Sequence, residues 1–130
     1  MVSLDEAIAM VTALPEVTEG SRYRNRTWFV NNKAFAWERP FSKADIARFG
    51  DEPIPSGPIM ALTTEDLSER AAILAAGNDG FFTISHFANH PAVLVQLDAA
   101  DPGELRLAIT DAWLACAGDT LARAHLAGEV

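Results

Sequence analysis

Apolar and polar positions along the chain alternate between two periods. Leu4, Ile8, Val11 and Leu14 recur at helical spacing behind Ser3-Leu-Asp-Glu6. That opening is a capping box: the serine oxygen accepts from a first-turn amide and the glutamate bonds back. Pro15 ends the helix, because the residue before a proline is pushed out of the helical region. Glu16–Tyr23 reads as an irregular entry to the first strand. Thr27–Val30 and Lys33–Glu38 are then strands flanking Asn31-Asn32. Asparagine tolerates positive φ, so a two-residue hairpin turn is the simplest reading. In that register Trp28, Val30, Phe35 and Trp37 share the face turned towards helices, and a three-residue loop would shift the pairing.

Residues 40–58 form an excursion. Ser42 caps a short helix through Ala44, Ile46, Ala47 and Phe49, Gly50 ends it, and three prolines with a glycine then exclude a regular element. Ile59–Leu62 is a strand, followed by a helix from Thr63 or Thr64 to Asn78 with Leu67, Ala71, Leu74 and Ala75 as its inner stripe. Phe81–Ser85 and Ala92–Leu97 are two short strands rich in residues that favour a packed, pleated surface. Asp101-Pro-Gly-Glu104 supplies an N-cap, a proline at the first helical position and a third-position glutamate. The helix it opens turns Leu105, Ala108, Ile109, Ala112, Trp113 and Cys116 inwards, and Gly118-Asp119 breaks it before one or two further helical turns. Strands joined by such short turns are antiparallel. The expected class is α+β: one domain over residues 1–130, with a single antiparallel sheet of about five strands and helices packed on one face.

Composition narrows the function. No apolar run approaches the ~20 residues that span a bilayer, and no basic leader precedes an apolar stretch, so neither membrane nor signal peptide is expected. The single cysteine excludes an internal disulfide and fits a reducing cytoplasm. The net charge of −8 opposes strong nonspecific binding to nucleic acid. Yet seven of the ten basic side chains (Arg22, Arg24, Arg26, Lys33, Arg39, Lys43 and Arg48) lie between residues 22 and 48. If Ser21–Arg26 is extended, Arg22, Arg24 and Arg26 point the same way at ~6.6–7 Å, close to the phosphate spacing of one strand. A charged edge that only keeps a strand soluble has the same pattern.

Catalytic signals are absent. His86 and His90 are four apart but sit in a strand connection with no third ligand near in sequence, so no metal site is expected. Ser85 and His86 are adjacent, which on a strand sends their side chains to opposite faces. Cys116 falls among core positions, and there is no phosphate-binding glycine loop. Neither catalysis nor a cofactor is expected.

Several phrases in order resemble the MmcQ/YjbR family. They are Ala13-Leu-Pro-Glu-Val-Thr-Glu19, Trp28-Phe-Val-Asn-Asn-Lys-Ala-Phe-Ala36, Phe81-Phe-Thr-Ile-Ser-His-Phe87 running into Pro91-Ala-Val-Leu-Val95, and Asp101-Pro-Gly-Glu-Leu105 with Trp113. The resemblance implies a CyaY/frataxin-like fold, also likened to a "double wing" DNA-binding domain, and members are commonly labelled DNA-binding. The chain departs from the family in Ala117-Gly-Asp119, where members often carry Ala-Pro-Lys, and in the longer excursion at 40–58. The leading expectation is a small, non-enzymatic cytoplasmic module that binds DNA weakly through Arg22, Arg24, Arg26, Lys33, Arg39 and Lys43. The alternative is a protein- or small-molecule-binding module on the sheet face near residues 81–87, with Trp28, Phe82 and His86 at its pocket.

Overall fold

Local signals set the helix ends in the computed structural model, which describes residues 1–129. Ser3 Oγ accepts from the Glu6 amide and the Glu6 carboxylate accepts from the Ser3 amide, both at 3.1 Å, opening α1 (Leu4–Thr12). Ser42 and Asp45 repeat the device for α2 (Lys43–Phe49), which stops at Gly50. Asp101 accepts from the Glu104 amide, and Pro102 starts α4 (Pro102–Ala117) at a position whose amide needs no helical partner. Two further helices are α3 (Leu67–Ala75) and α5 (Asp119–Leu126). No helix among the described residues is long and apolar enough to cross a membrane.

The strands are β1 (Thr18–Arg22), β2 (Asn25–Val30), β3 (Lys33–Glu38), β4 (Ile59–Thr63), β5 (Phe81–Phe82) and β6 (Ala92–Gln96). All pair antiparallel in one sheet of order β1-β2-β3-β4-β6-β5. The α+β class holds with six strands, one more than expected. The added one is β1, read from sequence as irregular entry. Its hairpin to β2 turns on Tyr23 and Arg24, both at positive φ (52° and 67°), a conformation neither residue type announces. At the other edge β5 is shorter than expected, because residues 85–87 coil into a 3₁₀ turn.

The Asn31-Asn32 turn forms as the sequence indicates, with both residues at positive φ and Val30 opposite Lys33. Beyond it the register slips: Phe29 faces Ala34, but Trp28 faces Ala36, leaving Phe35 as an extra residue. That bulge corrects the face assignment. Trp28, Val30 and Phe35 enter the main core as expected, whereas Trp37 is sent to the opposite face.

The main core lies between the sheet and α1, α3 and α4, with α5 packed back on α4 through Leu121. Trp28, Phe35, Val93, Val95, Leu105, Ile109 and Trp113 are all buried. Trp113 Nε1 donates to the Pro15 carbonyl at 3.0 Å, tying α4 to the chain leaving α1. α3 differs from expectation. Its cap is Asp66, not Thr63 or Thr64, so Leu67 and Ala71 stay exposed while Ile73 and Leu74 pack inwards. The opposite sheet face carries a smaller cluster, Ile59, Ala61, Phe87 and Leu94 with Trp37, Phe41 and Phe82 against it. α2 reaches this side through Phe49, whose ring stands 5.4 Å from Phe41. Four helices therefore share one face and α2 occupies the other.

Candidate functional site

The smaller cluster does not cover its sheet face completely. Beside it, towards the β1–β2 hairpin, lies a cleft of about 730 Å³. Thr27 of β2 and Ala34 and Trp37 of β3 lie along the sheet side of the cleft. Arg22, Tyr23 and Asn25 at the hairpin tip form one end, and Arg22 is the residue paired with Asn25. Residues 39–42, leading into α2, make one wall, and His86, Phe87 and His90 make the other. The size suits a small organic ligand.

Each wall is held from behind. Arg39 Nη1 donates to Asp45 Oδ2 at 2.9 Å and to the Pro40 carbonyl at 2.7 Å. Asp45 is itself buried, accepting from the Ser42 amide at 3.0 Å and from Arg48 at 3.2 Å. Burial alone would raise the Asp45 carboxyl; the Ser42 amide and the Arg39 guanidinium outweigh it and hold the group below its ordinary range. The guanidinium of Arg39 also lies over the Phe87 ring, 5.5 Å from its centre. The histidine wall is clamped by Arg70 of α3, which donates to the carbonyls of Phe87, His90 (3.0 Å) and Ala88 (3.1 Å). Three carbonyls taken by one planar donor fix the 3₁₀ turn, and nothing in the local sequence pairs residue 70 with residues 87–90.

The cleft is cationic and aromatic. Among the described residues no carboxylate lines it, while the guanidinium groups of Arg22 and Arg39 do, with the rings of His86 and His90 beside them. Burial lowers the His90 imidazole below its ordinary value, and the positive charges of Arg22, Arg70 and His86 lower it further. The His90 ring meets Phe87 at 5.3 Å and Trp37 at 6.0 Å, both edge-on. Tyr23 at the hairpin tip is 88% exposed, the largest exposure of any aromatic side chain described, with the Arg22 guanidinium 5.8 Å from its ring.

The structure redistributes the residues singled out in the sequence. Arg22, Arg24 and Arg26 do not form a row, because the chain turns between them. Arg22 faces the cleft and Arg24 sits in the turn. Arg26 lies on the other sheet face, bound to Glu19 by two 3.0 Å hydrogen bonds and close to Glu38. Lys33 is not near them: it borders a separate groove of about 800 Å³ among α3, α4 and α5, walled by Glu65, Glu69, Glu104, Asp111 and Asp119. Arg39 is in the cleft wall, and Lys43 is exposed on α2. Of the alternative set, His86 lines the cleft; Phe82 packs against Phe41 next to it, 6.1 Å between rings. Trp28 is buried on the opposite face and has no part in it. Trp37, Asp45 and Arg70 complete the site and were not legible as members of it, whereas Tyr23, next to Arg22 in sequence, joins it at the hairpin tip.

The YjbR family model matches residues 12–115. The chain belongs to the YjbR family. That match contains every cleft residue, from Arg22 to His90. The chain is also 37% identical, over 99% of both sequences, to an uncharacterized protein of Mycobacterium bovis and to uncharacterized proteins of two Mycobacterium tuberculosis strains. No solved structure matches it.

Proposed function

We propose that this YjbR protein is a non-enzymatic binding module whose cleft beside Trp37 takes a small ligand. The observation that carries this reading is the cleft itself: a concavity of about 730 Å³ with aromatic walls and cationic groups that no lining carboxylate neutralises. Binding sites of this kind combine apolar walls with a few placed polar groups. Cys116, the single thiol of the chain, is not placed as a nucleophile. It is buried in the main core, and burial pushes its thiol up, away from the reactive thiolate.

A small-molecule library screened by heteronuclear NMR tests the reading. Hits are expected to shift the amide signals of residues 22–27, 37–42 and 86–90 together. A screen without hits there, or with hits confined to the acidic groove, refutes it.

A second reading keeps DNA as the partner, and the hairpin tip favours it. Tyr23 stands in solvent between Arg22 and Arg24, and neither arginine has an ion-pair partner among the described residues. An exposed ring flanked by cations suits stacking on single-stranded bases with phosphate contact. On a molecule of net charge −8 such binding is weak, at or below the nonspecific range of ~10⁻⁴–10⁻⁶ M. Replacing Arg22 and Arg24 with alanine should remove it and flatten its salt dependence, while Arg26→Ala, whose partner is Glu19, should leave it unchanged. Equal oligonucleotide binding by the double variant and the wild type rejects this reading.

A further inference from the structure

The reading of the cleft as a ligand site leaves open what it selects, and the deeper inference rests on that reading. We propose that the cleft takes a planar aromatic anion, with its ring against Trp37 and its charge held between Arg22 and Arg39.

The charge balance points to an anion. Asp45 stands behind Arg39, but the same carboxylate also holds Arg48. One negative charge shared by two guanidinium groups leaves the Arg39 wall with an excess positive charge. Arg22 adds a second, with no carboxylate partner among the described residues. The rest of the molecule is acidic, so this concavity is a local exception whose walls concentrate the field. The His90 imidazole is depressed first by its burial, and the neighbouring Arg22, Arg70 and His86 add to that.

The donors are pre-arranged. Arg39 uses only Nη1 on protein acceptors among the described residues, which leaves Nε and Nη2 without a protein bond. Its plane is fixed by Asp45 below and Phe87 beside it, so little ordering entropy remains to be lost on binding. Arginine presents a planar fork that matches both carboxylate and phosphate oxygens.

The ring requirement comes from the aromatic groups. Trp37 lines the cleft half-buried, with Phe41, Phe87 and Tyr23 around it. Such a setting alone also suits an organic cation, which aromatic faces attract. Arg22 and Arg39 exclude that choice, because a cationic guest would meet two guanidinium groups and no lining carboxylate. A purely inorganic anion would leave the aromatic surface unused.

Calorimetric titration of the full chain at low ionic strength tests the proposal with naphthoate, naphthyl phosphate and neutral naphthamide. The two anions separate a carboxylate source from a phosphate source. At least one of them is expected to bind about tenfold or more tighter than the amide, the ratio of a charge-assisted hydrogen bond. Arg22→Gln, an exposed change that leaves the core alone, should erase most of that advantage without altering amide binding. Arg39→Gln should do the same, with its folding checked by thermal melting. Binding of the better anion should also raise the His90 titration midpoint followed by NMR. Amide binding as tight as both anions, or an Arg22→Gln protein with the full anion preference, overturns the anionic class while the cleft reading stands. If neither anion binds, the proposal falls: alone when the library screen finds neutral ligands in the cleft, and together with the cleft reading when that screen is empty.

Discussion

Replacing Asp45 with asparagine isolates the group that links the fold to the cleft. Asp45 is 2% exposed and accepts from Arg39, Arg48 and the Ser42 amide. Asparagine keeps an oxygen for the Ser42 amide, so the helix cap survives and the change removes mainly the charge. The Arg48 side chain is 48% exposed, so its loss counts for little in water. Arg39 donates to the same Oδ2 that takes the Ser42 amide, so that bond persists without its ionic character. For a guanidinium only 15% exposed, the loss of the paired charge is on the scale of a charge-assisted bond, about 1.5–3 kcal/mol. The expected cost is about 2 kcal/mol. At about 3–4 °C per kcal/mol for a chain of this length, that lowers Tm by about 7 °C. Urea melts should show a lower midpoint with an unchanged slope. The effect also has a pH signature. The folded carboxyl titrates below its ordinary value of 3.8, so its ionised form stabilises the native state. That contribution is complete above the unfolded value and is lost as pH falls through the lower folded one. The gap between wild type and variant should therefore stay constant through neutral pH and close only in acid. A variant melting within about 1 °C of wild type at neutral pH, or a gap independent of acid, would refute the assignment of Asp45 as the anchor of Arg39.

Two other substitutions probe separate parts of the chain. Trp113→Ala removes a fully buried side chain and its bond to the Pro15 carbonyl, and should cost about 3–5 kcal/mol, a Tm loss of about 10–20 °C; a near-native melting temperature would contradict its place in the core. Exchanging Tyr23-Arg24 for Asn-Gly relieves two positive-φ residues and should stabilise the protein by about 1 kcal/mol. The same exchange removes a cleft-lining ring, so cleft ligands should bind less tightly, and an unchanged affinity would show that Tyr23 makes no contact with them.

Features with a local cause were mostly legible in the residues, the Asp66 cap of α3 being the exception. Ser3 with Glu6, Ser42 with Asp45, and Asp101 with Pro102 mark helix starts because each cap satisfies amides within three residues. Asn31-Asn32 marks a turn because positive φ is accessible to asparagine itself, and the inward stripe of α4 follows from a period of 3.6. The α+β class and the YjbR family were readable on the same grounds, from short runs and their order. The remaining features depend on partners distant in sequence. The bulge at Phe35 flips Trp37 because two strands must share a ladder, and no residue type encodes that slip. Tyr23 and Arg24 turn because β1 and β2 gain five paired positions, which outweighs the poor local preference. Arg70 holds residues 87–90 from another helix, and Arg26 is drawn away from Arg22 by Glu19. The cleft is made of segments 22–42 and 86–90, brought together only when β6 pairs with β4 and β4 with β3. A run of basic residues in sequence thus became one cationic cleft, one ion pair on the opposite face and one lysine beside an acidic groove, because a strand alternates its faces and a turn reverses its direction.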